Sequence, residues 1–231
     1  MKIDSQKTNN PERETRILDA AANLFVHYGY DKTTVSDIAK AAGVSKGAIY
    51  LHYDSKDALF EGLLIRETMT YQEHWLDLIG ADPKGGTIGS MYKNILYALN
   101  ASPFMAAMFK QDSRILGSYL RKPDNLFRKQ DQSTRFTFVK MMQDAGAMRS
   151  DFDPKIIAHI MDMLAYGLVA MDEIKDKSLI PPLDDLIEGI AELMDRALTP
   201  QDGGDNEAGK AVVNQIYEMG KAQFEAMRNS S

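Results

Sequence analysis

Apolar residues recur at three- and four-residue spacing along most of the chain, and period-two alternation is not sustained, so the pattern predicts helices throughout and an all-α fold. Pro11 stands where a helix tolerates its proline, and the set Ile17, Leu18, Ala21, Phe25 and Tyr28 follows, closed by Gly29. Thr34 comes three residues before Asp37, a variant of the capping pattern, and opens a short helix whose inner face is Val35, Ile38, Ala39 and Ala42. Gly43 ends it. Ser45 can cap a third short helix carrying Ala48 and Ile49, and Ser55 a fourth that runs long through Leu59, Leu63, Ile65 and Trp75.

Beyond residue 80, punctuation at Asp82-Pro83-Lys84-Gly85-Gly86, Ser102-Pro103, Pro123, Asp153-Pro154 and Pro181-Pro182 predicts about five more helices and a tail. The helix from about Pro154 to Ile174 is apolar on most faces. Its most apolar stretch, Ile156 to Met171, carries His159 and Asp162 and falls short of the roughly 20 residues a membrane span needs, so it reads as a buried helix. The next helix carries the stripe Leu183, Leu186, Ile187, Ile190, Met194 and Leu198. A polar linker from Thr199 to Asn206 leads to a last amphipathic stripe of Val213, Ile216, Tyr217, Gly220, Phe224 and Met227.

Charge changes the picture only once it is located. The 231 residues carry 27 Lys and Arg against 33 Asp and Glu, a net of −6, which argues against a polyanion binder over the whole chain. Residues 1–56, however, hold 8 basic and 7 acidic side chains, a net of +1, and the remaining 175 residues carry −7. With no Cys, a disulfide scaffold, a thiolate zinc site and a Cys nucleophile are all excluded. The polar N-terminus lacks the apolar run of a secretory signal, so a cytoplasmic protein is expected.

Catalytic signatures are missing: there is no glycine-rich phosphate loop, no Ser nucleophile elbow and no HExxH pair. His27, His52, His74 and His159 are scattered. Neither His74 with Glu73 and Asp77 nor His159 with Asp162 assembles a metal site by itself, so no catalytic residue, metal or cofactor is expected.

The two short helices around Gly43 have the spacing of a helix-turn-helix. Ala39 falls where the helices cross closely, Gly43 takes the turn position that wants positive φ, and Val44 with Ile49 plugs the interface. An ordinary helical corner with a glycine cap shares this pattern. The stretches Gly29-Tyr30-Asp31-Lys32-Thr33-Thr34-Val35 and Gly43-Val44-Ser45-Lys46-Gly47-Ala48-Ile49-Tyr50-Leu51-His52-Tyr53-Asp54-Ser55-Lys56-Asp57-Ala58-Leu59 closely resemble the DNA-binding domain of the TetR (tetracycline repressor) family. The resemblance covers roughly Arg13 to Leu63. The rest agrees with that family only in length and helical content.

The resemblance implies a DNA-binding domain over 11–56 and a ligand-binding and dimerisation domain over 57–200. The polar arm over 1–10 and the linker and helix over 201–231 are read from the pattern alone, and the family core does not explain the tail. The resemblance also implies a dimer that reads a palindromic operator, most simply as a repressor released by a small molecule. The DNA-contacting residues would be Thr34, Ser45, Lys46, Gly47, Ala48, Tyr50, His52 and Lys56, with Lys7, Arg13 and Arg16 as looser candidates. Helix N-termini and hydroxyls suit phosphate, small residues permit close approach, and Lys46 and Tyr50 suit base edges or backbone.

Eleven of the 14 Met lie between residues 57 and 200, and pliable Met side chains suit a largely apolar effector cavity. Its candidate lining is Tyr71, Trp75, Met105, Met108, Phe138, Met141, Met142, Met163 and Tyr166. Asp162 and Asp172 are candidate counter-charges for a cationic ligand, although a helix-surface place suits them better. The last two core helices would pair across the dimer through Ile160, Leu164, Leu168, Leu186, Ile190 and Met194. Two other classes remain open from sequence: a helical adaptor that binds a protein through its tail, and a metal-dependent helical enzyme.

Overall fold

The computed structural model describes residues 11–123, 125–126 and 134–229. The polar arm expected over 1–10, with Lys7, lies outside them. Among the described residues there are eleven α-helices and no strand, so the all-α expectation holds. They are α1 (Pro11–Tyr28), α2 (Val35–Ala42), α3 (Lys46–Tyr50), α4 (Lys56–Ala81), α5 (Ile88–Ala101), α6 (Pro103–Lys110), α7 (Ser113–Leu116), α8 (Thr134–Asp144), α9 (Pro154–Ala170), α10 (Leu183–Leu198) and α11 (Asn206–Asn229).

The chain divides into two compact units: residues 1–66 with 111–128, and residues 67–110 with 129–231. In the first unit, α1 buries Ile17, Leu18, Ala21 and Phe25 on one face, and carries Glu12 and Glu14 at its start and His27 at its end, in agreement with its dipole. Helix α2 opens on a full capping box between Thr34 and Asp37. It closes on Gly43 at φ 66°, with the Val44 N–H donating to the Ala39 carbonyl at 3.0 Å. A left-handed turn of this kind lets the next helix start at once, and glycine adopts it without a Cβ clash.

This unit is not the contiguous block expected over 11–56. Helix α7 and the 3-10 turn Gly117–Arg121 join it from the middle of the chain. Leu116 and Tyr119 are fully buried there, and Phe60 meets Tyr119 edge-on at 4.7 Å and Phe25 at 4.9 Å. The Tyr30 N–H donates to the Ile115 carbonyl at 2.7 Å, and the carboxylate of Asp31 accepts from the Ser118 N–H and hydroxyl. Gly29, at φ 81°, lies so close that an added Cβ would strike the Arg114 carbonyl oxygen.

The second unit is a helical bundle around Trp75, Tyr92, Leu96, Phe138, Met142, Met161 and Ile187. Trp75 satisfies its indole N–H on the Met91 carbonyl at 3.1 Å, which is how a large polar-tipped ring is accommodated in a core. Helix α11 docks on this bundle through buried Val212, Val213 and Ile216. Asn206 Oδ1 accepts from the Gly86 N–H at 2.9 Å, and Gly86 and Gly209 touch backbone to backbone with no room for a Cβ on either.

The apolar helix expected to be buried is only half so. Helix α9 packs Ile157, Ala158, Met161 and Ala165 inward, while Ile156, Ile160, Met163 and Tyr166 form an exposed outer stripe. The stretch Pro154–Glu173 is long and apolar enough to cross a membrane by length and composition alone. In the bundle its Asp162 is paired with Arg135 of α8.

Candidate DNA-binding surface

Both caps of the helix-turn-helix are formed by the hydroxyls that the sequence singles out. The Ser45 hydroxyl accepts from the Ala48 N–H at 3.1 Å, and the Thr34 hydroxyl accepts from the Asp37 N–H at 3.2 Å. Asp37 returns the favour by accepting from the Thr34 N–H at 3.0 Å, and the Thr34 side chain and N–H hold its carboxyl below the usual carboxylate range. The caps fix where α2 and α3 begin, and buried Ile49 fixes how α3 is rotated.

That rotation leaves Lys46, Gly47 and Tyr50 exposed on one side of α3, with Ala48 half-buried. The Lys46 ammonium lies 5.8 Å from the centre of the Tyr50 ring. A Cβ at Gly47 would meet nothing closer than the Ser45 hydroxyl at 3.9 Å, so the free protein does not require glycine there. Any need for it comes from whatever approaches the helix. Leu51 is 71% exposed at the end of α3, a large apolar side chain on this surface that motif reasoning passed over. Its hydrophobicity was the available signal.

His52 is half-buried beside Tyr53, at 6.3 Å between rings, and Tyr53 donates to Glu14 of α1 at 2.9 Å, which makes it a structural link. Lys56 departs from the expectation that it faces phosphate. Its ammonium donates to the Tyr30 carbonyl and lies 4.0 Å over the Tyr30 ring, and burial lowers its pKa against the pull of Asp31 and Asp57. The reason is a local charge cluster: Asp57 accepts from the Tyr30 hydroxyl and pairs with Lys122. Burial alone would raise the Asp57 carboxyl, but Lys122 and Tyr30 outweigh it and hold it low. Arg16, Lys32 and Lys40 are exposed and Arg13 is half-buried.

Residues 17–63, spanning this whole arrangement, match the model of the family described as bacterial regulatory proteins, tetR family. Residues 17–63 thus form a DNA-binding head of the TetR type. The protein is a DNA-binding transcriptional regulator, and similar proteins extend the likeness beyond the head. An HTH-type transcriptional repressor of Mycobacterium tuberculosis, Rv1474c, is 27% identical over 182 residues, covering 76% of this chain and 91% of that protein. The HTH-type transcriptional repressor KstR2 of Rhodococcus jostii is 27% identical over 190 residues, covering 75% and 91%. Among solved structures, the regulator FadR from Bacillus subtilis, in complex with stearoyl-CoA, shares the fold with a TM-score of 0.57 at 21% identity, over 78% of this chain and 96% of that one.

The residues expected to line an effector cavity separate into two groups. Trp75, Phe138 and Met142 are buried together in the bundle, with Tyr71, Met105 and Met141 partly buried against it, and Met108 is buried but outside that cluster. Met163 and Tyr166 do not join them: they are more than half exposed on the outer stripe of α9, because Met161 and Ala165 take the inward positions of that helix. Met194 is likewise corrected, since it is buried in the core and not on the outer face of α10. Its place outside is taken by Leu193, 65% exposed. Ile160 is exposed, and Leu164, Leu168, Leu186 and Ile190 are half-buried.

The two carboxylates considered as counter-charges both have basic partners. Asp162 lies 2.5 Å from Arg135 Nε, and Asp172 lies 3.6 Å from Lys177 Nζ. A groove of about 520 Å³ beside α5 and α10 is polar, lined by Ser90, Lys93, Asp185, Glu188, Glu192 and Asp195, and has none of the candidate cavity residues on it.

Proposed function

We propose that the protein is a dimeric, ligand-responsive repressor that binds a palindromic operator and acts in the cytoplasm. The observation that carries the reading is the capped helix-turn-helix that leaves Lys46, Gly47 and Tyr50 outward while Ile49 is locked inward. A buried plug fixes where these three residues stand on α3, so they meet the groove in one register.

The exposed stripes of α9 and α10 support a second copy as partner. Ile156, Ile160, Met163, Tyr166, Leu183 and Leu193 would otherwise leave a large apolar surface in water, which soluble monomers rarely do. Two such heads on a two-fold axis imply two half-sites on one duplex, hence the palindrome. The Met-rich bundle of the second unit supports a small-molecule effector, as does the ligand-bound state of the FadR structure. A ligand that favours the arrangement with poorer operator contacts must weaken operator binding by the same factor.

Selection of bound sequences from a random duplex pool at fixed salt tests this directly. An enriched inverted repeat is the expected result. Enrichment of a lone half-site, or of nothing, sinks the dimeric reader.

A further inference from the structure

We propose that Leu51 is a specificity-determining residue of the DNA-reading surface, and that it recognises the C5-methyl group of a thymine in the major groove. The inference deepens the operator-binding reading above and rests on it.

Leu51 follows α3 but keeps its geometry. Its backbone is helical, at φ −74° and ψ −22°, and its N–H donates to the Gly47 carbonyl at 3.2 Å. The register of α3 therefore runs through residue 51. At 3.6 residues per turn, Gly47 and Leu51 each stand about 160° round the helix from Ile49, the fully buried plug. They form one row down the middle of the outward face, while Tyr50 and Ala48 lie nearer its edges. Exposure follows the same order: Leu51 is 71% exposed, Tyr50 43%, and Ala48 is half-buried.

Leu51 is the only relief on that middle row. Gly47 has no side chain, and a Cβ there would find nothing nearer than the Ser45 hydroxyl at 3.9 Å. The Lys46 ammonium stands on the neighbouring row, 5.8 Å from the centre of the Tyr50 ring. A duplex that approaches this face meets bare backbone at residue 47 and, one turn on, an isobutyl group. Single exposed leucines are ordinary on protein surfaces, and it is position that gives this one its meaning. Such a side chain neither donates nor accepts a hydrogen bond, so it cannot read the polar pattern of the base edges or hold a phosphate. The base edges of the major groove offer one apolar group, the thymine methyl. Leu51 matches it chemically, and the glycine one turn before lets the helix backbone come close enough to reach it.

The test uses the full-length protein and the best-bound duplex from a random-pool selection, with each thymine replaced in turn by uracil, which removes only the methyl group. The wild type is expected to lose about fourfold in affinity at one position in each half-site, the worth of one methyl-sized group taken out of water. Leu51→Ala should bind the unmodified duplex more weakly, and uracil at that position should then cost nothing further. Leu51→Met, which keeps an apolar side chain of similar reach, should retain the uracil penalty. Because Leu51 is exposed, thermal melts of both variants should match the wild type; a lowered melt in Leu51→Ala would assign the residue to packing and overturn the proposal. Absence of any uracil penalty, a penalty that persists in Leu51→Ala, or an equal loss on a scrambled duplex overturns thymine recognition while leaving the DNA-binding reading intact. If the selection enriches no duplex, the operator reading falls, and the role of Leu51 with it.

Discussion

Tyr50 and Lys46 share one side of α3 but should fail differently when truncated. Tyr50 offers an apolar ring and a hydroxyl to the groove, so Tyr50→Ala should weaken the selected operator by about 1 to 3 kcal/mol and relax preference at one base pair. Lys46 offers one charge. If that charge meets phosphate, Lys46→Ala should lower the slope of log affinity against log salt by about 1 and weaken all sequences alike. Titrations at several salt concentrations separate the two, and an unchanged slope would assign Lys46 to a base edge. At Gly29 the issue is stability. A Cβ there meets the Arg114 backbone and the residue must keep φ 81°, so Gly29→Ala should cost about 2 kcal/mol or more in a denaturant melt.

At the scale of elements, the short helices were legible because their punctuation is local: Thr34, Gly43 and Ser45 act within three or four residues of themselves. The assignment of α7 to the head was not legible. Leu116 and Tyr119 are an unremarkable apolar pair in sequence, and their partners Phe60 and Tyr30 lie more than 50 residues away. Periodicity also named the right helices for α9 and α10 but not their rotation. Helix α9 is apolar on more than one face, and in α10 the apolar Leu193 stands next to Met194, so the pattern could not say that Met194 points in while Met163, Tyr166 and Leu193 point out. The outward set predicts an oligomerisation phenotype: Leu193→Asp should convert the species seen by sedimentation toward monomer with little loss of helical signal. A dimer of unchanged strength would move the interface elsewhere. For α11, Val213 and Ile216 are buried on the bundle, and fully burying such a side chain contributes about 1.5 to 3 kcal/mol. Removing residues 203–231 should therefore lower the melting temperature clearly, and an unaltered melt would show that the helix is dispensable to the fold.

Over the whole molecule, charge is divided as the sequence indicates, with a head near neutrality and an acidic remainder. The exposure of Lys46, Gly47 and Tyr50 on one side of α3 agrees with the motif, whereas the inward turn of Lys56 depends on a cluster drawn from Asp31, Asp57 and Lys122 that no local pattern announces. That cluster ties the head to residues 118–122 and makes it sensitive to acid. The Ser118 hydroxyl and N–H hold Asp31 below its ordinary pKa, and Asp57 is also held low. A carboxyl lowered by folding contributes stability that is complete above its unfolded value, about 3.9, and is lost as pH falls through the folded one. Melting temperature should drop steeply below about pH 4 in the wild type and less steeply in Asp31→Asn. Parallel curves would remove Asp31 from the account.

The contact between Gly86 and Gly209 has a consequence for how the tail can come away. Because two backbones touch there, a shift of α11 by a single residue brings a Cβ into the gap, so no partly slid register is available. The helix is either seated or released. Release would free the chain around Gly203 and Gly204, which sits just ahead of α11, for cleavage by an added protease. The rate of nicking at that one place would then count how often the tail lets go, with and without operator or effector.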